Sequence, residues 1–132
     1  SVGLMNKMKE VSLTPLLKAQ KQFESYREDL STDKDITAAI KAFEYCYELA
    51  WKLMKSLIER ESQELIQGTK DIFRIAARMG IIDDPKPWFF FLETRSLTDQ
   101  IYDETVANDI AKIFPQFSNE LKNFIFQTER RI

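Results

Sequence analysis

The polar side chains that could carry chemistry are concentrated between residues 93 and 105. This segment, ETRSLTDQIYDET, contains an arginine, several hydroxyls, an amide, a phenol and four carboxylates. It lies where we predict one helix to end and the next to begin. Such a junction exposes backbone groups and positions side chains without filling the core, which suits a binding cleft. The residues alone favour the alternative, a structural network that holds the junction together.

The chain contains no histidine. Any mechanism that needs an imidazole acid, base or metal ligand from this chain is therefore excluded. Its three glycines are too few to form a phosphate-binding loop, and no P-loop, CxxC or GxGxxG motif is present. Glu44 and Glu48 are one helical turn apart and could face a single metal ion. Because Lys41 and Lys52 share their face, we expect no metal site, and we expect no cofactor.

Length and composition predict one globular domain. The chain has 132 residues, with 19 basic and 21 acidic side chains and a net charge of -2, which gives no global attraction for nucleic acid or an anionic membrane. We expect residues 13–132 to form the domain and residues 1–12 to be a tag remnant and flexible N-terminus. With no membrane-spanning run, no signal peptide and one unpaired cysteine, Cys46, placed for the core, we expect a cytoplasmic protein and no membrane partner.

One uninterrupted helical pattern organises the chain. Between Asp35 and Arg60 there is no Gly and no Pro, and apolar residues recur in steps of three and four over more than one face. A helix that is apolar over so much of its circumference needs neighbours on two sides, as a central helix of a bundle has. We therefore predict an all-α protein, an antiparallel up-and-down bundle of about five helices.

Shorter patterns predict the other helices. Thr14 is the expected N-cap of the first, and one of Ser31, Thr32 and Asp33 is expected to cap the long helix. Gly80 should end a third helix in a left-handed conformation. The segment WFFFL is too short to separate helix from strand, and context favours a fourth helix whose inner face includes Trp88, Phe91, Leu92 and Leu97. Asp103, Glu104 and Thr105 form a further capping cluster, and Pro115 should kink or split the last helix.

A basic row on the predicted third helix has two interpretations. Lys70, Arg74 and Arg78 recur every four residues. A solvated helix face is the more common origin of such a row. A strip that contacts phosphate groups is the alternative.

Two segments resemble a known family. FEYCYELAWKLMKSLIE on the long helix is similar to the FEFxxELAWKxLKxxL signature of the nucleotidyltransferase substrate-binding proteins, which belong to the HEPN superfamily. IFRIAARMGIIDD, followed by PWFFFLETRSLTDQIYDETVANDI, matches the order and spacing of the family's next helix, its tryptophan-containing helix and its RNxxxHxY-like stretch. The resemblance extends from Leu13 to about Phe124.

The resemblance implies a HEPN-like helical bundle that forms a homodimer and works with a separately encoded small nucleotidyltransferase. Some relatives are ribonuclease toxins of toxin-antitoxin pairs, in which an arginine and a histidine spaced as RxxxxH from each subunit cut RNA without metal. In those pairs the nucleotidyltransferase can silence the toxin by transferring AMP to a tyrosine two residues after the histidine. By position, the arginine is Arg95, the histidine position is Gln100 and the AMP acceptor is Tyr102.

Gln100 is the main departure from the family pattern. A glutamine amide donates and accepts hydrogen bonds but cannot transfer a proton near neutral pH, so it cannot replace a general acid or base. Ser96 also replaces the usual asparagine. We therefore predict no catalytic residue and a cleft that binds substrate, nucleotide or RNA through Arg95, Ser96, Asp99, Gln100 and Tyr102.

Three functions remain open. The first is a non-catalytic substrate- or nucleotide-binding partner of a nucleotidyltransferase. The second is a HEPN-type ribonuclease toxin that its nucleotidyltransferase antitoxin modifies with AMP. The third is a plain helical interaction module, in which Arg95, Asp99 and Asp103 form only a salt-bridge network and the ring of Tyr102 packs against a helix end. Ten Phe, two Trp and four Tyr in so thin a bundle also favour an apolar patch for a second subunit.

Overall fold

The computed structural model describes residues 11–132, which contain six α-helices, one turn of 3₁₀ helix and no strand. The α-helices are α1 (Thr14–Tyr26), α2 (Asp33–Glu61), α3 (Thr69–Arg78), α4 (Pro85–Ser96), α5 (Glu104–Ala111) and α6 (Phe114–Glu129), with the 3₁₀ turn Thr98–Gln100 between α4 and α5. The predicted all-α class is confirmed. The expected tag remnant lies outside the described residues, and the division into residues 1–12 and 13–132 stays a prediction.

Helix α2 is the central element, as its pattern predicts. Its 29 residues pack against α1, α3 and α5, and its buried residues extend from Ala39 to Ile58. Thr32 is its N-cap: the Thr32 hydroxyl accepts from the backbone N–H of Asp35 at 3.1 Å, and the Asp35 carboxylate accepts from the N–H of Thr32 at 3.0 Å. This reciprocal capping box starts the helix, and the acidic side chains in its first turn suit the positive end of the helix dipole.

Helix α1 lies along α2 and is tied to α6. A link of six residues, 27–32, joins α1 to α2, so the two contacting helices run antiparallel. Thr14 is the first helical residue and not the cap, because the helix begins one residue earlier than predicted, with Leu13 at the N-cap position. Glu24 on α1 accepts hydrogen bonds from Arg27 and from Ser118 of α6. Partial burial opposes ionisation of Glu24, but these two donors outweigh it and lower its pKa.

Aromatic side chains form the centre of the core. The ring centroid of Phe117 on α6 lies 4.7 Å from that of Phe43 on α2 and 5.1 Å from that of Phe91 on α4, both edge-to-face. Trp88 stands edge-to-face to Phe91 at 5.3 Å. Each such pair contributes about 0.5–1.5 kcal/mol beyond its burial. The segment WFFFL is helical, as context predicts, and its buried Trp88 and Phe91 fix the rotation of α4 about its own axis.

The residues predicted to end or interrupt the later helices do so in the structure, but one predicted core residue is exposed. Gly80 has φ +76° and ends α3 in the left-handed region, and Pro115 splits the last pattern into α5 and α6. Both outcomes are as predicted. Leu97 was expected inside the core but is 41% exposed, because it follows Phe90 by two turns and so lies on the outer side of α4, away from Trp88 and Phe91. No helix within residues 11–132 combines the length and apolar character that a bilayer span requires.

Candidate functional site at the junction of α4 and α5

Helix α4 carries Arg95 to the middle of α2. The Asp84 carboxylate accepts from the backbone N–H of Lys86 at 2.9 Å and caps the start of α4. Phe91 is completely buried, and Arg95 follows it by four residues, which places both on the same side of the helix. Since that side faces the core, the arginine side chain runs along α2 and only 30% of it stays exposed.

Arg95 is flanked by two carboxylates of α2. Its Nη2 lies 3.7 Å from Oε2 of Glu44, and its Nε lies 3.6 Å from Oε1 of Glu48. Its Nη1 donates to the hydroxyl of Thr98 at 2.8 Å. Two negative charges therefore surround one positive charge, and the guanidinium exerts little net attraction on an anion. The hypothetical salt-bridge network of Arg95 with Asp99 and Asp103 is wrong, because the arginine turns toward α2 and Asp103 caps α5.

Two aromatic side chains of α2, Trp51 and Tyr47, lie near this cluster. The indole N–H of Trp51 donates to Oε2 of Glu48 at 3.2 Å, which fixes the carboxylate beside Arg95. Tyr47 is buried beneath it, and its hydroxyl has no hydrogen-bond partner among the described residues. Burial raises the pKa of Tyr47, the charge of Glu48 raises it further, and Arg95 opposes both.

The other predicted site residues lie on the exposed side of the same junction. Ser96, Asp99, Gln100 and Tyr102 are all exposed, and within residues 11–132 no hydrogen bond or ion pair connects them to Arg95. The turn that carries them is held by local backbone bonds, from the N–H of Gln100 to the carbonyl of Leu97 at 2.9 Å and from the N–H of Asp103 to the carbonyl of Gln100 at 3.1 Å. The junction therefore consists of the half-buried Arg95 and a separate set of exposed polar side chains.

Tyr102 projects from this turn into solvent. It is 87% exposed, the most exposed of the large apolar or aromatic side chains in the described part of the chain. The next helix, α5, starts immediately after it, because Asp103 accepts from the backbone N–H groups of Thr105 and Val106. The packing of the Tyr102 ring against a helix end, expected for an amphipathic tyrosine, is not found.

A small cavity borders Tyr102. It has a volume of about 100 Å³ and lies between the start of α2, at Asp33, Ile36 and Thr37, and the start of α5. Binding pockets for whole nucleotides or drug-sized ligands measure about 300–1,000 Å³. A groove of about 380 Å³ between α1 and α2, lined by Leu16, Leu49 and Lys52 among others, contains none of the predicted site residues.

Residues 11–132 contain no cluster of side chains that could bind a metal ion. No group of three or more Cys, Asp and Glu side chains converges there in a way that could hold an ion. Glu44 and Glu48, the pair with ligand spacing, face the guanidinium of Arg95 instead. The absence of a metal or cofactor from the function stays a prediction.

Sequence reasoning missed how Arg95 is held. It placed Glu44 and Glu48 on a face shared with lysines and did not consider Trp51 or Thr98. The spacing contains the signal: Glu44 and Glu48 are separated by four residues, and Trp51 follows Glu48 by three, so all three lie on one stripe of α2. In the structure this stripe is covered by Arg95, and Trp51 on it is partly buried.

Comparisons with known proteins agree with this fold and junction. A model of the family described as "Nucleotidyltransferase substrate binding protein like" matches residues 12–130. A Haemophilus influenzae protein named "Probable ribonuclease HepT" is 31% identical over 103 residues, which cover 75% of this chain and 70% of that protein. This chain is therefore similar to both a binding protein and a protein named as a nuclease.

Solved structures share the architecture. A Haemophilus influenzae structure, described as the fold of a substrate-binding domain of a nucleotidyltransferase, is 27% identical, with a TM-score of 0.82 over 88% of this chain and 98% of that one. A Thermus thermophilus structure shares the fold at 21% identity, with a TM-score of 0.78 over 85% of this chain and 97% of that one.

These matches define a helical protein of the HEPN type. The chain belongs to the nucleotidyltransferase substrate-binding protein family, as its two signature segments indicate.

The buried hydroxyl of Tyr47, which has no hydrogen-bond partner among the described residues, leads to a prediction about stability. A buried polar group without a partner costs about 1–3 kcal/mol, so Tyr47→Phe should leave the free energy of unfolding unchanged or raise it by up to about 1 kcal/mol. Urea unfolding monitored by circular dichroism measures this. Tyr45→Phe is the control, because Tyr45 is on the same helix and 55% exposed. A loss of more than about 1 kcal/mol for Tyr47→Phe alone would show that the hydroxyl has a partner, such as a bound water.

Proposed function

We propose that this protein is a non-catalytic partner of a small nucleotidyltransferase and presents Tyr102 to that enzyme as the acceptor of a nucleotidyl group. Membership of the family supports a nucleotidyltransferase as partner. The Haemophilus structure described as a substrate-binding domain of such an enzyme supports the same role. We propose that the pair acts in the cytoplasm, where ATP is available.

The observation that carries the proposal is the exposure of Tyr102. An acceptor hydroxyl must enter the active site of another protein, which requires a side chain that projects from the surface. Tyr102 is 87% exposed, on a turn bounded by two helices, so it can be inserted without unfolding of either helix. The exposed carboxylates of Asp99 and Glu104 beside it would attract a positively charged surface on the partner.

The reaction needs no catalytic group from this chain. The phenol oxygen of Tyr102 attacks the α-phosphorus of ATP, and a new O–P bond forms. The bond from the α-phosphorus to the bridging oxygen breaks, pyrophosphate leaves, and the phenol proton passes to a base of the enzyme or to water. The enzyme would hold the ATP, because the 100 Å³ cavity beside Tyr102 is too small to enclose a nucleotide.

The remaining predicted site residues have a supporting role in this proposal. Arg95 and Gln100 would contact the transferred nucleotide or orient the turn, with Ser96 and Asp99 on its rim. Arg95 has donors to spare, because its distances of 3.6 and 3.7 Å to Glu48 and Glu44 are longer than direct hydrogen bonds. Its charge is compensated, however, which favours presentation of Tyr102 over independent binding of ATP.

The first test is modification of Tyr102. After incubation with ATP, magnesium and a small nucleotidyltransferase encoded beside this protein, the intact mass should rise by one or more AMP units. Tyr102→Phe should abolish the gain, because it removes the attacking oxygen. Tyr45→Phe should keep it, since Tyr45 is exposed but lies on the middle of α2. Persistence of the gain in Tyr102→Phe, or no gain and no complex with the enzyme, would contradict the proposal.

A ribonuclease toxin is the second candidate, because the Haemophilus relative is named as a probable ribonuclease. We expect the wild-type protein not to cleave RNA, since its chain has no histidine to transfer a proton. The measurement is cleavage of a labelled RNA in the presence of a chelator. Cleavage by the wild-type protein that disappears in Arg95→Ala would favour the toxin. Cleavage only in Gln100→His would identify a nuclease scaffold that has lost its proton-transfer group.

Homodimerisation is part of the proposal and rests on the outer face of α4. Phe90 is 43% exposed and Leu97 is 41% exposed. They are separated by seven residues, or two turns, and so lie on one stripe about 10 Å long. Contact through this stripe would bring the two Arg95 junctions close together.

The stripe can be tested by sedimentation. The double variant Phe90→Asp/Leu97→Asp should shift a dimeric wild-type protein to monomer, because two buried carboxylates without partners oppose association. Leu65→Asp is the control, since Leu65 is 79% exposed in the loop between α2 and α3. A wild-type protein that is monomeric at all concentrations, or a double variant that stays dimeric, would contradict this interface.

A further inference from the structure

The cations of this protein differ in whether their charge is compensated. Arg78 on α3 forms an ion pair with Glu64, at 2.5 Å, and Arg95 lies between Glu44 and Glu48. Both positive charges are cancelled locally by carboxylates. Two members of the basic row on α3, Lys70 and Arg74, are held in another way.

Lys70 and Arg74 are held by an aromatic ring. The Nζ of Lys70 lies 5.9 Å from the ring centroid of Phe89 on α4, and the Cζ of Arg74 lies 5.3 Å from it. A cation–π contact positions a cation without an opposing full charge. Within residues 11–132 neither cation has a carboxylate oxygen within 4.0 Å, and both are exposed. Their two charges therefore remain available to a ligand.

The spacing of the two cations suits a chain of phosphates. Residues four apart on a helix are separated by about 6 Å along its axis and lie on one face. Lys86 is exposed three residues before Phe89, which places it on the same side of α4. Two carboxylates are close in sequence, Asp71 on α3 and Glu93 on α4. Asp71 accepts from the backbone N–H of Gln67 at 3.0 Å, and neither carboxylate forms an ion pair with Lys70 or Arg74.

We infer that Lys70, Arg74 and Phe89 form a binding strip for the sugar-phosphate backbone of a single-stranded nucleic acid. The Lys70 ammonium and the Arg74 guanidinium contact neighbouring phosphates, and Phe89 keeps both in place between contacts. The local positive charge stands out on a protein with a net charge of -2. This charge favours a polyanion over an acidic protein segment, whose carboxylates are not regularly spaced. The strip lies outside the Arg95 to Tyr102 junction and does not depend on the function proposed for it.

The test is the salt dependence of binding to fluorescein-labelled single-stranded oligonucleotides, one of RNA and one of DNA with the same sequence. For the wild-type protein, log K should fall linearly with log salt concentration. Lys70→Ala/Arg74→Ala should weaken binding and reduce the magnitude of the slope by about 1.4, since each lost phosphate contact removes about 0.7 for a single strand. Phe89→Leu should weaken binding less, because the cations remain but are no longer held.

The matched control is Lys18→Ala/Lys21→Ala, which removes the same charge from exposed positions on α1. It should leave the slope unchanged. Circular dichroism confirms that each variant is folded. Preference for the RNA over the DNA oligonucleotide would identify RNA as the ligand, and equal binding would identify the backbone alone; both support the strip.

Three outcomes would overturn the inference. One is a wild-type protein that binds neither oligonucleotide at about 50 mM salt. Another is an equal loss in the α1 control, which would show that binding does not depend on where the positive charges lie. The third is an unchanged oligonucleotide affinity in Lys70→Ala/Arg74→Ala. If that variant also loses its complex with the nucleotidyltransferase, the strip is a protein interface.

Discussion

The burial of α2 on several sides is the constraint on which the rest of the structure depends. Because apolar residues extend over more than one face of this helix, α1, α3 and α5 must all pack against it. Its aromatic residues also contact those of α6, through Phe43 and Phe117. The only stripe of α2 left for charged residues is the one that contains Glu44 and Glu48. The position of Arg95 is therefore a consequence of how the core is filled.

The two arginine environments on this molecule show how neighbouring side chains decide whether an arginine can attract an anion. Carboxylates beside Arg95 cancel its attraction for phosphate, whereas the ring of Phe89 orients Arg74 and leaves its charge effective. A phosphate-binding role is thus decided by what surrounds an arginine. Residue type and motif position do not determine it.

Much of the fold could be predicted from the sequence, because the signals are local. The pattern of α2, the left-handed Gly80, the break at Pro115 and the capping cluster at Asp103 each depend on neighbours within a few residues. The exact end of α4 at Ser96 could not be predicted, because no Gly or Pro marks it, and the exposure of Leu97 depends on how Trp88 and Phe91 orient the helix. The partners of Arg95 could not be predicted either, since they depend on which side of α2 faces α4.

The sequence indicates where the candidate site lies but not how its side chains are arranged. The polar content of residues 93–105 and the family signature both indicate the right junction. They do not separate Arg95, which is half-buried and paired, from Gln100 and Tyr102, which are exposed. The 3₁₀ turn places Gln100 and Tyr102 away from Arg95. Because backbone hydrogen bonds hold this turn, no pattern of side chains in the sequence indicates it.

The local bonding of this turn has an evolutionary consequence. Because Gln100 is exposed and the turn is closed by its own backbone, exchange of that side chain should cost the folded state little. Selection for a stable protein would then not distinguish a histidine from a glutamine there. A lineage can lose the proton-transfer group, or regain it by a single substitution, while its bundle stays intact. Chemistry and fold are free to diverge at different rates within one small protein.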